Sequence, residues 1–211
     1  MSEKSTIITI DDHPLLRKGL KQLVEFEEEI EIIAEASNGA DGIKLALELE
    51  PDLIILDLNM QNMDGIETLK ILREKGVQSR VVMLTVSDND DDVVRAVQAG
   101  ADGYLLKDTD PEDLLEKIKE ATMGKMVIND RLTQILATAL KAPLHKTENK
   151  LSTLTNREKE ILELIAKGLP NKLIARELDI SDGTVKVHVK HLLKKLELRS
   201  RVEAAVWFLG Q

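Results

Sequence analysis

The stretch PDLIILDLNM, residues 51–60, decides how the first half of this 211-residue chain is read. Leu53, Ile54, Ile55 and Leu56 form a short unbroken apolar run, the pattern of a strand buried on both faces. Asp57 follows at the C-terminal tip, where open α/β sheets gather their ligand sites. Outward from this stretch the same grammar repeats. Ile7-Ile8-Thr9-Ile10 ends on Asp11 and Asp12, the run from Val81 to Leu84 ends on Thr85, and Tyr104-Leu105-Leu106 leads to Lys107. Strand-like runs near 6–10, 31–35, 53–57, 81–86 and 103–106 alternate with helical patterns near 14–25, 40–50, 65–74, 90–99 and 111–122. Such alternation predicts a parallel sheet with helices on both faces. Its strand ends bring three acids, a hydroxyl and an ammonium to one edge.

Local signals support the alternation. Gly39, Gly65, Gly76, Gly100 and Gly103 fall where connections are expected, and Pro111 suits the first turn of the last helix. After Pro14, the residues Leu15, Leu20, Leu23 and Val24 are expected on one apolar helical face. The acids Asp88, Asp90, Asp91 and Asp92 open the fourth helix and read as a solvated cap rather than a metal site.

The last sixty residues read as helices only. Thr155 with Glu158 makes a capping box before Ile161, Leu162, Leu164 and Ile165, and Gly168 ends that helix. A short helix with Leu173, Ile174, Ala175 and Leu178 starts at Pro170-Asn171. After a tight turn at Asp179-Ile180-Ser181, Ser181 caps a longer basic helix running to about Leu196, and Ser200 opens a fourth. Two helices across a tight turn, the second one basic, make a helix-turn-helix. Between the halves, Leu132, Ile135, Leu136, Ala139 and Leu140 suggest a short amphipathic helix over about 129–141, and APLHKTENKLS (142–152) reads as a flexible tether. The expected organisation is a domain over 1–125, a linker over 126–150 and a second domain over 151–211.

Charge divides along the same line. Residues 1–140 hold 15 basic and 29 acidic side chains, net −14, while residues 141–211 hold 14 and 9, net +5. An acidic half repels nucleic acid and a basic half attracts it, although ordinary variation in surface charge produces such splits too. The four aromatic residues leave little for stacking on single strands. The lack of cysteine excludes disulfides and thiolate metal sites and fits a reducing cytoplasm. No apolar stretch approaches the roughly 18 residues a membrane span needs, and MSEKST lacks the pattern of a secretory signal.

Asp11, Asp12 and Asp57 together suit Mg²⁺, which prefers hard oxygen ligands and keeps several waters. If Asp57 attacks a phosphoryl group, Mg²⁺, Lys107 and the Thr85 hydroxyl are the right groups to meet the charge on its oxygens. In the basic helix Lys186 and Lys190, four residues apart, share one face, while Val185, Val189, Leu192, Leu193 and Leu196 recur on the other. His188 and His191, without acids or cysteines beside them, do not read as a metal pair.

At this point IDDHPLLRKGLKQL (10–23), LDLNM (56–60), GADGYLLKD (100–108) and VKVHVKHLLKKLELRSRVEAAVW (185–207) resemble the NarL/FixJ family of two-component response regulators, most of all its nitrate/nitrite members. The resemblance spans nearly the whole chain. It implies a doubly wound, five-stranded, flavodoxin-like receiver followed by an all-α LuxR-type helix-turn-helix. It also implies a phosphoacceptor rather than an enzyme, with at most slow self-dephosphorylation at Asp57. Mg²⁺ would be held by Asp11 or Asp12 with Asp57 and the Asn59 carbonyl. Thr85 and Lys107 would bind phosphoryl oxygens, and Thr85 and Tyr104 would act as the switch. Lys186, Val187 and Lys190 would reach base edges, and Asn171, Lys172, Thr184, Lys194 and Arg201 would contact phosphates. Val202, Ala205, Val206 and Leu209 would form a dimer helix. The implied partners are promoter DNA, a sensor histidine kinase, RNA polymerase and a second copy of the chain, with no membrane. In NMQNMDG (59–65), Gln61 stands where many receivers have proline, which predicts a looser loop. Two rivals are an Asp-nucleophile phosphohydrolase, which would want an acid at Asn59, and a DNA-binding protein whose receiver is only structural.

Overall fold

The computed structural model describes residues 4–125, 127 and 150–209, with the side chains of Val202, Val206 and Leu209 outside the description. Five strands, β1 (Ser5–Ile10), β2 (Ile30–Ala36), β3 (Leu53–Leu56), β4 (Arg80–Thr85) and β5 (Gly103–Leu106), pair in parallel in the order β2-β1-β3-β4-β5. They alternate with α1 (Pro14–Val24), α2 (Gly39–Leu49), α3 (Gly65–Glu74), α4 (Asp90–Ala99) and α5 (Pro111–Thr122). Each boundary lies within about a residue of the expected one; β3 and β4 contain unbroken apolar runs closed by a polar residue, while the edge strand β2, IEIIAEA, carries Glu31 and Glu35.

Strand side chains divide between two cores. Ile8, Ile10, Ile54, Leu56, Val81 and Met83 pack under α2, α3 and α4. Ile7, Leu53, Ile55, Val82 and Leu84 pack under α1 and α5. One expected core position fails: Leu15 is 83% exposed, and Leu16 joins Leu20, Leu23 and Val24 against the sheet instead. Apolar spacing alone cannot choose between neighbouring leucines at the first turn. α4 starts under an Asn89 cap with Asp90, Asp91 and Asp92 in its first turn, as an acidic N-terminus favours.

The second domain opens with a 3-10 turn (Lys150–Thr153), then α6 (Asn156–Ala166), α7 (Asn171–Glu177), α8 (Asp182–Leu196) and α9 (Arg201–Leu209). The 3-10 turn takes over the end of the expected tether. The helix expected over 129–141 and residues 142–149 lie outside the described residues. The Thr155–Glu158 capping box is complete, and Ser181 caps α8. Asp179 takes a left-handed φ of 53° in the turn between α7 and α8. Val185, Val189, Leu192, Leu193 and Leu196 are buried with Ile161, Leu162, Ile174 and Trp207, leaving the opposite, basic face of α8 to neighbours. Among the described residues no helix is long and apolar enough to cross a membrane.

Candidate functional site

The strand order reverses direction at β1, whose neighbours are β2 and β3, so a crevice opens at the C-terminal ends of β1 and β3. Asp11 and Asp57 follow those two strands directly. Ligand atoms of Asp11, Asp12, His13 and Asp57 all lie within 4.8 Å of one another. Lys107, carried in from the end of β5, places Nζ 2.8 Å from Asp11 Oδ2 and 2.9 Å from Asp57 Oδ2. The Asp57 backbone N–H donates to the Ile10 carbonyl at 2.9 Å, and its carbonyl lies so close to Gly65 that a Cβ there would collide with it. Asp57 is thereby held 1% exposed. Burial raises its pKa above the ordinary carboxylate value, the hydrogen bond from Lys107 opposes this, and the Asp11 charge adds to the rise.

Asp57 Oδ1 is buried without a hydrogen-bond partner among the described residues. An orphaned carboxylate oxygen beside two further acids is what a hard cation completes, so the donor set fits Mg²⁺. Asn59 is exposed, and its Nδ2 donates to the Thr85 hydroxyl at 3.4 Å. That hydroxyl also accepts the Ser87 N–H at 3.1 Å, which ties the loop after β4 to the pocket. The Tyr104 ring is 1% exposed and its hydroxyl donates to the Ser87 carbonyl at 3.0 Å. Burial first, then the nearby Asp92, Asp88 and Asp57 charges, push its pKa up to about 12.

His13 went unanticipated. Its Nδ1 sits 2.9 Å from Asp12 Oδ1 and 3.1 Å from Asp11 Oδ1, and its place directly after two acids was the available signal. The loop expected to be loose carries an anchor. Gln61 N–H donates to Asp12 Oδ2 at 3.3 Å, a bond proline could not make, and Asn62 turns the chain at a φ of 68°.

At the opposite edge of the sheet the helix-turn-helix meets the receiver domain. Lys186 Nζ donates to the Glu50 carbonyl at 3.1 Å, and Lys172 Nζ donates to the Lys4 carbonyl at 2.7 Å and pairs with Asp52 at 3.2 Å. Arg199 donates to the Gln98 carbonyl, at the end of α4, at 2.9 Å. Lys186, Val187 and Lys190 line one gap against Gly76 and Val77. The three side chains expected to reach base edges thus share a face, and that face is turned to the first domain. Thr184 is exposed and accepts or donates with Ser181 across 2.8 Å, while Lys194 is exposed and lines a cleft with Lys190 against the receiver. Arg201 departs from its expected role: it is 7% exposed, donating to Asn171 Oδ1 and to the Leu169 carbonyl. Here it is a strut between α9 and α7, and Asn171 is its partner. Of the expected dimer helix, Ala205 is half-buried, and the side chains of Val202, Val206 and Leu209 lie outside the described residues.

The sequence pattern of the response regulator receiver domain matches residues 7–119, and that of bacterial regulatory proteins of the luxR family matches residues 152–208. The chain is 57% identical over 205 residues to the nitrate/nitrite response regulator protein NarL of Escherichia coli (strain K12), covering 97% of this chain and 95% of that one. It belongs to the two-component response regulators of the NarL type. A second E. coli relative, NarP, is 48% identical over 97% of this chain and 94% of its own. Among solved structures, the receiver domain of NarL from Mycobacterium tuberculosis matches with a TM-score of 0.56 at 30% identity, covering 59% of this chain and all of that one. A LuxR-family regulator from Aurantimonas sp. SI85-9A1 matches with a TM-score of 0.60 at 27% identity, covering 66% and 99%. As a NarL-type response regulator, the chain is a DNA-binding regulator of transcription built from a receiver and a LuxR-type helix-turn-helix.

Proposed function

We propose that Asp57 accepts a phosphoryl group from a sensor histidine kinase and that this modification frees the helix-turn-helix to bind promoter DNA as a dimer. The observation that carries the proposal is the pairing of two sites in one chain. A buried carboxylate with an unpartnered oxygen faces Lys107 at one sheet edge, and the face of α8 that carries Lys186, Val187 and Lys190, the face expected to reach base edges, lies against the other edge. A carboxylate oxygen of Asp57 attacks phosphorus as the bond to the donor histidine breaks. Lys107 and the Thr85 hydroxyl receive the phosphoryl oxygens. Asp11, Asp12, Asp57 and the Asn59 carbonyl would hold Mg²⁺, which supplies charge neutralisation for the incoming group. Thr85 is bonded to the Ser87 N–H and Tyr104 to the Ser87 carbonyl, so a pull on Thr85 reaches the loop leading into α4. The last turn of α4 carries the Gln98 carbonyl that Arg199 grips, a route from the pocket to the docked domain. Likeness to NarL and NarP supports nitrate and nitrite respiration as the regulated process, with RNA polymerase as the eventual partner.

Two experiments test this reading. Acetyl phosphate with Mg²⁺ should add one phosphoryl group to the wild type and none to Asp57→Asn, read by intact mass; equal labelling of both would refute the phosphoacceptor. On DNA, Lys190→Ala should cost about 1–3 kcal/mol on the specific site and much less on random sequence. Lys194→Ala should weaken both alike and flatten the salt dependence by about one unit of slope. Equal losses for Lys190→Ala on the two DNAs would rule out the proposed docking face.

A further inference from the structure

The two domains meet across a seam rich in cations, most of them from the helix-turn-helix. At the N-terminal ends of the strands, opposite the phosphoryl pocket, a cavity of about 290 Å³ lies between them. Arg80 lines it from the receiver, and Lys172, Arg176, Lys186 and Arg201 line it from the helix-turn-helix, against only Glu29 and Asp52. Three of the five cations are occupied: Lys172 pairs with Asp52, Lys186 pairs with Asp182 at 3.2 Å, and Arg201 is bound to Asn171 and the Leu169 carbonyl. Two are not. Arg80 is 5% exposed, its Nε is buried without a hydrogen-bond partner, and its Nη1 makes only two long bonds, 3.3 and 3.4 Å, to the Ala121 and Lys125 carbonyls. Arg176, exposed at the cavity mouth, has no ion pair among the described residues.

The one acid whose charge reaches Arg80, Asp102, is already paired with Arg73 at 2.8 Å, and a buried guanidinium nitrogen left without a hydrogen-bond partner is costly enough that proteins ordinarily supply one. The strain is felt next door: burial first, and then the charge of Arg80, lower the Arg201 pKa to about 9. Along the same seam, a cleft of about 770 Å³ sets Lys70, Lys75, Lys190, Lys194 and Arg199 around Glu74, but among the described residues no buried side-chain group there lacks a partner. The orphaned donor singles out the first cavity.

We propose that this interdomain cavity binds a small multivalent oxyanion, phosphate or a phosphate-bearing small molecule, between Arg80 of the receiver and Arg176 of the helix-turn-helix. Guanidinium forks match the paired oxygens of such groups and bind them bidentately. Because the two arginines belong to different domains, the ligand binds only the docked arrangement. Mass action then favours docking and opposes DNA binding. This site is separate from the Asp57 pocket and needs no metal.

The test uses the full-length unphosphorylated protein in EDTA, which silences the metal-dependent pocket, at constant ionic strength. Inorganic phosphate, pyrophosphate and adenosine monophosphate are titrated calorimetrically, with nitrate as a monovalent control. One-to-one saturable binding of at least one phosphate compound is expected, and preference among the three tells free anion from organic phosphate. Arg176→Gln, a surface change, should weaken that binding about tenfold or more, and Arg80→Gln should abolish it. The bound anion should also keep the wild type compact in small-angle scattering. Should Arg80→Gln fail to fold, Arg176→Gln decides alone. The assignment is overturned if no phosphate compound saturates below about 10 mM, or if Arg176→Gln binds as tightly as the wild type.

Discussion

Asp57 carries its charge in a place that disfavours it. Its pKa lies above the ordinary 3.8 because burial, with help from Asp11, outweighs the hydrogen bond from Lys107. A carboxyl raised in this way favours the folded state most when protonated, and that contribution fades as pH rises from its ordinary value through its folded one. At neutral pH the charge is therefore a stability cost kept for chemistry. Asp57→Asn should make the receiver more stable at pH 7 by about 1 kcal/mol, in line with the usual trade between activity and stability. The gain should shrink as pH falls toward 4, which urea midpoints followed by circular dichroism will show. A destabilised Asp57→Asn at pH 7 would mean that Lys107 already satisfies the carboxylate. A second residue-scale feature, the Arg73–Asp102 pair at 2.8 Å, also lies buried, with Arg73 donating further to the Gly100, Val77 and Ser79 carbonyls. It fastens the end of α3 to the loop before β5, and nothing in the sequence pattern announces it.

Among the elements, the start of α6 shows how a local signal becomes tertiary. Thr155 accepts the Glu158 N–H at 3.3 Å, and Glu158 returns a bond to the Thr155 N–H at 2.7 Å. The same carboxylate takes Lys195 Nζ at 2.6 and 2.9 Å, which locks the start of α6 to the end of α8. Burial alone would raise the Glu158 pKa, but Lys195 and the two Thr155 bonds prevail and hold it below 4.5. A depressed carboxyl stabilises above its unfolded value, and that support is lost as pH falls through the folded one. Glu158→Gln should therefore cost the helix-turn-helix about 1–2 kcal/mol at pH 7 and nothing once the medium is well below pH 4. Trp207, the chain's single tryptophan and buried in this domain, reports the transition by fluorescence. An unchanged midpoint at pH 7 would show the Lys195 pairing to be worth nothing.

For the whole molecule, docking is a matter of contact rather than net charge. The halves differ as −14 and +5, yet the receiver face along the larger seam cleft presents Lys70 and Lys75, with Glu74 between them in sequence, to Lys190, Lys194 and Arg199. Attraction between the totals is screened within about 8–10 Å at physiological salt, so close backbone fit must do the holding. Gly124, at a φ of 100°, provides it: a Cβ there would run into the Gly168 carbonyl and press on Pro170. Gly124→Ala should cost the receiver about 1 kcal/mol for the left-handed backbone and, beyond that, separate the domains. A larger scattering radius and tighter DNA binding by the unphosphorylated variant are the expected results. A variant as compact as the wild type would place the fit elsewhere.

The order of elements and the membership of the strand-end pocket were both legible in the chain. Continuous apolar runs force buried parallel strands, and such strands carry whatever follows them to one edge. Asp11, Asp57, Thr85 and Lys107 needed no coordinates for that reason. The caps at Thr155 and Ser181 were equally legible, since a cap involves neighbours three residues apart. Tertiary structure decided what depends on which surfaces meet. Leu15 lost its place in the core to Leu16, Arg201 turned from solvent to Asn171, His13 joined the acids, and Lys186 and Lys190 came to face the receiver. Periodicity specifies which side of an element is apolar, but the partner of a polar side chain is chosen by packing between segments up to 168 residues apart, as Lys4 and Lys172 are. No local pattern encodes a contact across that distance.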